Sequence, residues 1–312
     1  MKIVYKNASN QQTWQLIEHD KYGLKYFQNP VLSSFDEIQH CFSTRFGGVS
    51  DGFRSSMNLS FHNGDDEALV TENYKRIAEV MKTTTDHLVL SNQTHTNNIR
   101  VVSEKDAGNG ILYPNRFNDV DGLVTNKKGL VLATSYADCV PIYFYDYNQK
   151  VIGLAHAGWR GTISEISKNM VLIMREQFSS DCKNIICVIG PSICQECYEI
   201  GQDVADYFKK LNSSQYLIEL YASDSLSGFG SKKRGVLIEG KVNGKYQLDL
   251  WAANYIFLRE AGVPSKNISL PGICTCENPA LLFSHRASKG KRGNLNAFIM
   301  LKEDENGNNT GL

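Results

Sequence analysis

The chain has 312 residues, 33 basic and 33 acidic side chains, and 42% hydrophobic residues. This length and composition predict a globular protein with a sizeable core. The balanced charge gives no electrostatic argument for binding nucleic acid or an anionic membrane, so small-molecule partners are expected.

The predicted elements alternate between short apolar runs and amphipathic segments. In chain order they are two strands within 123–146 that are joined by a turn from Asn126 to Gly129, a strand over 150–157, a helix over 162–178, a buried strand over 184–193, and a helix from Asp249 to Gly262. This mixture predicts a layered α and β architecture, and the hairpin-like turns argue against a purely parallel sheet.

The domain organisation is predicted from repeats, linkers and changes in composition along the chain. No repeat of fixed period and no proline-rich linker is found, so we expect a single domain over residues 1–302. Residues 211–235, rich in Ser, Gly and Lys, predict a mobile excursion from it. Residues 303–312 predict a frayed polar tail.

The cellular location is predicted from two absences. The start, MKIVYKNASNQQTW, lacks the apolar stretch of a secretory signal, and no segment approaches the roughly 20 apolar residues of a membrane span. We therefore expect a cytoplasmic protein. In that reducing compartment the eight cysteines are expected to be thiols or metal ligands rather than a disulfide framework.

Three candidate metal ligands each lie at the edge of an apolar, strand-like run: His95 in LVLSNQTHTNNI, Cys139 in ATSYADCVPIYF and His156 in GLAHAGWRG. A side chain at a strand end is held rigidly while it faces a cleft. Two imidazoles and a thiolate can hold zinc and leave a fourth position open, as catalytic sites require. Their spacing matches no short metal-binding motif, so a core cysteine and turn-capping histidines are the alternative.

The same residues also support nucleophilic catalysis. Cys139 as a thiolate nucleophile, His156 as its base, and Asp138 or His95 as the orienting group would make a Cys/His hydrolase or amidase. A thiolate serves either purpose, so the sequence leaves both possibilities open.

Further polar and basic residues are candidates for contact with a ligand. Arg160 lies between two glycines before a predicted helix, where free amides favour phosphate or carboxylate; an ordinary turn is the alternative. The polar segment 43–66 carries Arg45 and Asn58 and either lines a pocket or crosses the surface. A basic cluster near the end is typical of a solvated face but could receive phosphate; its members are His285, Arg286, Lys289, Lys291 and Arg292.

Two cysteine pairs give weak support for a second metal site. Cys194 and Cys197 in CQEC have the spacing of metal ligands, whereas Cys274 and Cys276 in CTC are one residue too close for the common knuckle. The two pairs are also far apart in the sequence.

Several blocks together resemble one family, the multicopper polyphenol oxidase or laccase-domain proteins, also called the YlmD/YfiH family of purine nucleoside phosphorylases. The blocks run in the family's order from about residue 40 to 300 and are CFSTRFGGVS, SMNLSFHNGDD, LSNQTHTNNI, DVDGLVTN, SYADCVPIYFYD, GLAHAGWRGT, CYEIG, LDLWAANYIFLREAGV and FSHR. The resemblance implies an α+β fold, a layered sandwich of mixed β-sheets flanked by helices in the order α/β/β/α.

The resemblance also implies a mononuclear zinc centre held by His95, Cys139 and His156, with copper as an alternative metal. The implied activity is phosphorolysis of adenosine, inosine and methylthioadenosine to the free base and a ribose 1-phosphate, with adenosine deamination beside it. Some relatives are linked to editing of cell-wall precursors, which would suit the hydrolase alternative. The oxidase of the older family name is disfavoured, because multicopper oxidases need many closely paired histidines and this chain has seven scattered ones.

Roles beyond the three ligands follow from the implied reactions. In deamination, Asp138 is predicted to deliver a proton to the departing ammonia. In phosphorolysis, Arg45, Arg160 and Arg286 are predicted to hold phosphate, and Asn58 to contact substrate. The segments PSICQECYEIG and FSHRASKGKRGN depart from the family's usual pattern, which affects substrate preference more than the metal ligands. The oligomeric state is left open.

Overall fold

A computed structural model describes residues 3–6, 14–222 and 235–304. The strands are β1 (Gln15–Glu18), β2 (Lys25–Gln28), β3 (Ile38–Ser43), β4 (Leu88–Leu90), β5 (Ile99–Val101), β6 (Gly122–Thr125), β7 (Val131–Tyr136), β8 (Val140–Asp146), β9 (Val151–Ala157), β10 (Ile185–Ile189), β11 (Glu199–Gly201), β12 (Leu237–Glu239), β13 (Lys245–Leu248), β14 (Ile268–Ser269) and β15 (Leu295–Leu301). The helices are α1 (Pro30–Ser33), α2 (Glu67–Val80), α3 (Trp159–Ile163), α4 (Ile166–Phe178), α5 (Gln202–Phe208), α6 (Gln215–Ala222), α7 (Leu250–Glu260) and α8 (His285–Ser288).

Two six-stranded sheets form the centre of the molecule. The first sheet has the strand order β1-β2-β3-β15-β7-β4, and the second has β14-β10-β8-β9-β6-β5. β4 runs parallel to β7, β14 to β10 and β5 to β6, whereas the long central strands pair antiparallel. Both sheets are therefore mixed, as the hairpin-like turns predicted.

The two sheets pack face to face and are covered by helices on their outer sides. Between them lies an apolar core that includes Leu132 of β7 and Tyr143 of β8. The outer side of the first sheet packs against α2, and the outer side of the second packs against α4 and α7. The layer order is α/β/β/α, which confirms the expected fold class.

Strand periodicity explains why the central runs are apolar throughout. In β7, Val131 and Ala133 face α2 while Leu132 faces the second sheet. In β8, Ile142 and Phe144 face the helices while Tyr143 and Tyr145 face the first sheet. Successive side chains of a strand point to opposite sides, so a strand buried on both sides is apolar at every position.

The segment 123–146 differs from the prediction of two strands. It forms three, and the chain passes from β6 in the second sheet to β7 in the first and back to β8 in the second. The break between β7 and β8 contains Asp138, whose φ of 90° lies in the left-handed region. Because the apolar run continues on both sides of this break, hydrophobicity alone does not reveal it.

The two predicted helices are present with one change. The second is α7, and the Asp249 carboxylate caps it by accepting a hydrogen bond from the Ala252 amide at 2.9 Å. The first is divided into α3 and α4 by Glu165, whose φ is 62°. The predicted strand within 184–193 is β10.

The predicted excursion over 211–235 is only partly described. Lys209–Ser213 forms a 3₁₀ turn and Gln215–Ala222 is α6, so this half is helical where a loop was expected. Residues 223–234 lie outside the described residues, as do 305–312 of the predicted tail. A small third sheet, in the order β11-β13-β12, lies beside this region of the chain. None of the described helices has the length and apolar composition that a bilayer crossing requires.

Candidate metal centre

His95, Cys139 and His156 lie together, and their ligand atoms are all within 4.8 Å of one another. His95 is in the loop after β4, Cys139 immediately precedes β8, and His156 is the second-last residue of β9. The Cys139 Sγ is 3.9 Å from the Nε2 of His95. His156 is buried, Cys139 is half-buried and His95 is exposed. The set is therefore held by the core on one side and accessible on the other.

Gly158 leaves the space that this arrangement needs. A Cβ at Gly158 would lie 2.7 Å from the Cδ2 of His95 and 3.2 Å from the Cys139 Sγ. The backbone φ of Gly158 is −69°, which any residue can adopt. The requirement for glycine here is therefore steric, and it ties the HAGWRG segment directly to the ligand set.

Asp121, which the sequence reasoning did not single out, positions two of the three ligands. Its fully buried Oδ1 lies 2.7 Å from the Nδ1 of His156. The same carboxylate accepts hydrogen bonds from the backbone amides of Thr94, His95 and Thr96 at 3.1, 3.1 and 2.9 Å. A carboxylate on Nδ1 fixes the tautomer that leaves Nε2 free to act as a ligand. The only sequence signal was its place in DVDGLVTN, directly before β6.

The charges of the set stabilise one another. Burial lowers the pKa of His156, but the Cys139 thiolate and the Asp121 hydrogen bond outweigh it and raise that pKa to about 9. Burial raises the pKa of Cys139, yet His156 and His95 outweigh it and lower that pKa to about 6. The pKa of Asp121 is also lowered, because its hydrogen bonds, with that of His156 foremost, outweigh burial. Cys139 is therefore prepared to be a thiolate.

The donor set fits a transition metal with borderline-soft preference. Two imidazole nitrogens and one thiolate, with a carboxylate behind one imidazole, are the ligands and support that such metals use at open sites. Within the described residues, the other group of three or more potential ligands is Cys194, Cys197 and Cys274. The described part of the chain thus lacks the paired histidine clusters of a multicopper oxidase.

Asp138 adjoins Cys139 but is bonded elsewhere. Its Oδ1 accepts a hydrogen bond from the Thr275 hydroxyl at 2.6 Å, and its Oδ2 accepts one from the Arg286 amide at 2.7 Å. The hydrolase alternative placed Asp138 or His95 beside His156 as the orienting group. The structure differs for Asp138, because the left-handed turn there directs its carboxylate to the 275 and 286 segments. His95 does lie beside His156, with ring centroids 4.9 Å apart, but Asp121 occupies the Nδ1 of His156.

The metal centre forms the floor of a cavity of about 630 Å³. Residues 59–62 of the polar segment 43–66 form part of the cavity wall. Of the two alternatives for that segment, lining a pocket or crossing the surface, the first applies to these residues. A second wall, residues 110–115, was not predicted. This second wall is held in place by Asn115, whose amide donates to the carbonyl of Ser91 at 3.1 Å.

Arg292, from the predicted basic cluster, also lines this cavity. Its Nη1 donates to the carboxamide oxygen of Asn294, and its Nε is buried without a hydrogen-bond partner among the described residues. Burial lowers the pKa of Arg292 without removing its charge. A partly desolvated guanidinium at a cavity wall is suited to bind an anion.

The four residues predicted to contact substrate occupy other positions, and none is among the described residues that line the cavity. Arg45 donates to the carbonyls of Ser55 and Pro279, both at 3.0 Å. Asn58 is fully buried and accepts from the Asn294 amide at 2.9 Å. Their substrate contacts stay a prediction.

The other two of the four are arginines close to the metal centre. Arg286 donates to the carbonyls of Cys197 and Glu199 at 2.9 and 3.0 Å, and Arg160 is exposed over the Trp159 ring at 4.4 Å. Both act electrostatically on Tyr198, as Cys139 does. Their roles in holding phosphate also stay predictions.

Residues 39–302 match the family model described as multi-copper polyphenol oxidoreductase laccase. The chain belongs to this family. The match spans the candidate metal centre, the cavity, the whole second sheet and the first sheet except β1, β2 and the first residue of β3, so the resemblance expected from the sequence is confirmed.

Named relatives of this laccase-family chain are similar over most of their length. The purine nucleoside phosphorylase YlmD of Bacillus subtilis (strain 168) is 36% identical over 268 residues, which are 86% of this chain and 90% of that protein. A purine nucleoside phosphorylase of Bacteroides thetaiotaomicron is 32% identical over 91% of this chain and 98% of its own length. The crystal structure of YlmD from Geobacillus stearothermophilus has a TM-score of 0.79 at 32% identity and covers 94% of this chain and all of that one.

Proposed function

We propose that this chain is a purine nucleoside phosphorylase whose catalytic centre is the cavity above His95, Cys139 and His156. One observation carries the proposal: an open set of candidate metal ligands shares a cavity with the guanidinium-bearing side chain of Arg292. Phosphorolysis requires a nucleoside and a phosphate to meet in one cleft. The relatives named as purine nucleoside phosphorylases support this assignment.

Zinc is the metal that we propose for this centre. His95, Cys139 and His156 would hold it, since zinc takes nitrogen and thiolate ligands and its catalytic sites use three protein ligands. When bound, it supplies Lewis-acid polarisation and lowers the pKa of water at the open position. Asp121 keeps the Nε2 of His156 directed at the centre, and Gly158 lets the ring of His95 approach it.

The cavity wall suits a nucleoside. Its volume of about 630 Å³ is in the range of small-molecule sites, which are roughly 300–1,000 Å³. Leu59, Phe61 and Leu112 line it with apolar surface for a purine, and Ser91 and Asn92 line it with polar groups for the sugar.

In the proposed reaction a phosphate oxygen bonds to C1′ of the ribose while the bond from C1′ to N9 of the purine breaks. The departing base takes up a proton, and the products are the free base and ribose 1-phosphate. Arg292 would hold the phosphate by charge-assisted hydrogen bonds, with Arg160 and Arg286 as further candidates. Adenosine, inosine and methylthioadenosine are the proposed substrates.

Adenosine deamination is the proposed second activity, with Asp138 as the candidate proton donor. Both carboxylate oxygens of Asp138 accept hydrogen bonds, one from the Thr275 hydroxyl and one from the Arg286 amide. Asp138 would therefore also position the Cys139 turn against Arg286. An Asp138→Asn variant separates the two roles: loss of ammonia release with phosphorolysis retained supports the acid, and loss of both supports positioning.

The decisive experiment is inosine cleavage with and without phosphate, followed by chromatography of the base and sugar products. We expect hypoxanthine and ribose 1-phosphate only with phosphate, and no product from Cys139→Ala. Cys182→Ser serves as the matched control, because Cys182 is a free, half-buried cysteine outside both ligand groups. Hypoxanthine release without phosphate would make the protein a hydrolase and overturn the proposal.

A second candidate function is the Cys/His hydrolase or amidase. The observation in its favour is that Asp121, His156 and Cys139 stand in the order of a catalytic triad, with the Cys139 pKa lowered to about 6. Iodoacetamide labelling of Cys139 in metal-free protein, together with activity that survives chelation, would favour it. Activity lost on chelation and restored by zinc would exclude it.

A further inference from the structure

We propose that Cys194, Cys197 and Cys274 form a second zinc site, closed and structural, that is separate from the centre above the cavity. The sulfur atoms of these three residues lie within 4.8 Å of one another, and all three cysteines are free thiols. Sulfur ligands about 2.3 Å from a tetrahedral zinc stand about 3.8 Å apart. Separations of at most 4.8 Å therefore need to contract by no more than about 1 Å to reach that geometry.

Sheet register explains how cysteines 80 residues apart meet. β10 and β14 are parallel neighbours, so the chain leaves both at the same edge of the second sheet. Beyond the strands the pairing continues as a bridge between Ser192 and Cys274, with the Thr275 amide donating to the Ser192 carbonyl at 3.1 Å. This pairing delivers Cys274 beside the turn that contains Cys194 and Cys197.

The local geometry is that of a thiolate knuckle. Cys194 and Cys197 are separated by two residues in a 3₁₀ turn, closed by the Cys197 amide donating to the Cys194 carbonyl at 3.1 Å. The Cys194 amide donates to the Sγ of Cys274 at 3.3 Å. A backbone donor aimed at sulfur stabilises a thiolate, which is the form that binds metal.

Glu277 is the fourth ligand in this proposal. Its Oε1 is 3.9 Å from the Sγ of Cys194 and 3.7 Å from the Sγ of Cys197. Lys6 forms an ion pair with Glu277 and lies 3.6 Å from Glu196, so its charge offsets part of the excess negative charge of three thiolates and a carboxylate. Cys276, which contacts Cys197 and Ser284, is the competing fourth ligand.

The surroundings indicate a structural role. Cys194 and Cys274 are buried, and none of the three cysteines is among the described residues that line the cavity. A zinc ion here would join the N-terminal segment at Lys6, the turn at 194–197 and the segment at 274–277. Thr275 in turn holds the carboxylate of Asp138, next to Cys139. The closed site would thus stabilise the turn at Asp138 that carries Cys139 of the open site.

The test is the zinc content per chain of full-length protein purified with reductant and without added chelator. We expect two equivalents in the unsubstituted chain, one in Cys139→Ala, one in Cys194→Ser and none in the double variant, with Cys182→Ser retaining two. One equivalent in the unsubstituted chain and none in Cys139→Ala would overturn the second site. A mass two hydrogens lower, which reports a disulfide among these cysteines, would also overturn it.

Two further measurements complete the test. Because Cys194→Ser could fail to fold, Co²⁺ is titrated into metal-free Cys139→Ala, where intact Cys194, Cys197 and Cys274 should give thiolate-to-cobalt absorption; its absence would count against the site. For the fourth ligand, Glu277→Gln should weaken zinc retention against a competing chelator and Cys276→Ser should not. The reverse pattern would overturn the assignment of Glu277. None of these readouts depends on nucleoside cleavage.

Discussion

The two groups of candidate metal ligands differ in what surrounds them. His95, Cys139 and His156 combine nitrogen and sulfur donors and open into a cavity, whereas Cys194, Cys197 and Cys274 offer sulfur alone and lie away from it. Open sites leave a coordination position for substrate, and closed all-protein sites contribute folding energy. The comparison teaches that ligand type and exposure together, rather than the number of ligands, distinguish a candidate catalytic site from a candidate structural site.

Substituting one cysteine in each group is expected to have the largest effects, on activity for one group and on stability for the other. Cys139→Ala should lower kcat/KM for inosine about 10³-fold or more, a loss of about 4 kcal/mol, and should lower Tm less than Cys194→Ser does, because an open site with three protein ligands holds its metal less tightly than a closed one. Cys194→Ser should do the opposite and lower stability by about 2.7 kcal/mol if the bound metal is at about 100 times its Kd. Initial rates and thermal melts check both, and equal effects of the two substitutions on both readouts would erase the comparison.

Substitution of Arg292 tests whether the cavity above His95, Cys139 and His156 binds phosphate. Replacement by glutamine should remove a charged hydrogen bond of about 1.5–3 kcal/mol, and so lower kcat/KM for phosphate about 10- to 150-fold. The kcat/KM for inosine at saturating phosphate should change much less. Lys291→Gln, at the exposed neighbouring position, is the matched control. A phosphate dependence that Arg292→Gln leaves unaltered would direct attention to Arg160 and Arg286.

Asp121 adds to the comparison, because it contacts a histidine ring and backbone amides, whereas the carboxylate beside the closed group, Glu277, contacts the sulfur atoms themselves. Asp121→Asn places a donor against the Nδ1 of His156 or the 94–96 amides, and should lower zinc affinity about 10- to 100-fold. Asp119→Asn is the control, since Asp119 is two residues away and bonds only the Thr94 side chain through its carboxylate in the described structure. Competition with a chromophoric chelator measures both, and matching affinities would exclude Asp121 as an orienting group.

A third region, around His40, affects how the free energy of unfolding depends on pH. His40 is fully buried and accepts a hydrogen bond from the Asn29 amide at 2.8 Å, and burial lowers its pKa to about 3. Below about pH 6.5 the unfolded chain binds a proton that folded His40 refuses, so stability falls by about 1.4 kcal/mol per pH unit toward pH 3.

The His40→Gln variant isolates this contribution. It should reduce the acid slope of unfolding free energy by about one proton, while His19→Gln, at a more exposed position, should keep the slope of the unsubstituted chain. Urea unfolding at a series of pH values checks this. An unchanged slope in His40→Gln would assign the acid sensitivity to other groups.

The sequence pointed to His95, Cys139 and His156 because they lie at visible boundaries, and the structure brings these three residues together. His156 marks the end of an apolar run, and it is found near the end of β9. The helix at Asp249 was predicted well, because a capping side chain and a terminal glycine are local signals. The layer order came from the resemblance and from the mixture of strands and helices.

The features that the sequence did not predict depend on pairing between strands that are distant in the sequence. The crossing at Asp138 is hidden because the strands on both sides are buried on both faces and have no polar alternation. Asp121 meets His156 only through the pairing of β6 with β9, and Cys274 meets Cys194 only through the pairing of β10 with β14. No local pattern encodes either contact, since each needs the register of two distant strands.

Asp121 has a consequence for how the substrate range could change. One carboxylate aligns a loop ligand with a strand ligand, and it does so without contacting the 59–62 or 110–115 walls in the described structure. We therefore expect that residues 59–62 and 110–115 can be exchanged for those of relatives while Asp121 keeps the candidate ligands aligned. If the proposed function holds, such exchanges would change which nucleosides are cleaved and leave the metal centre in place.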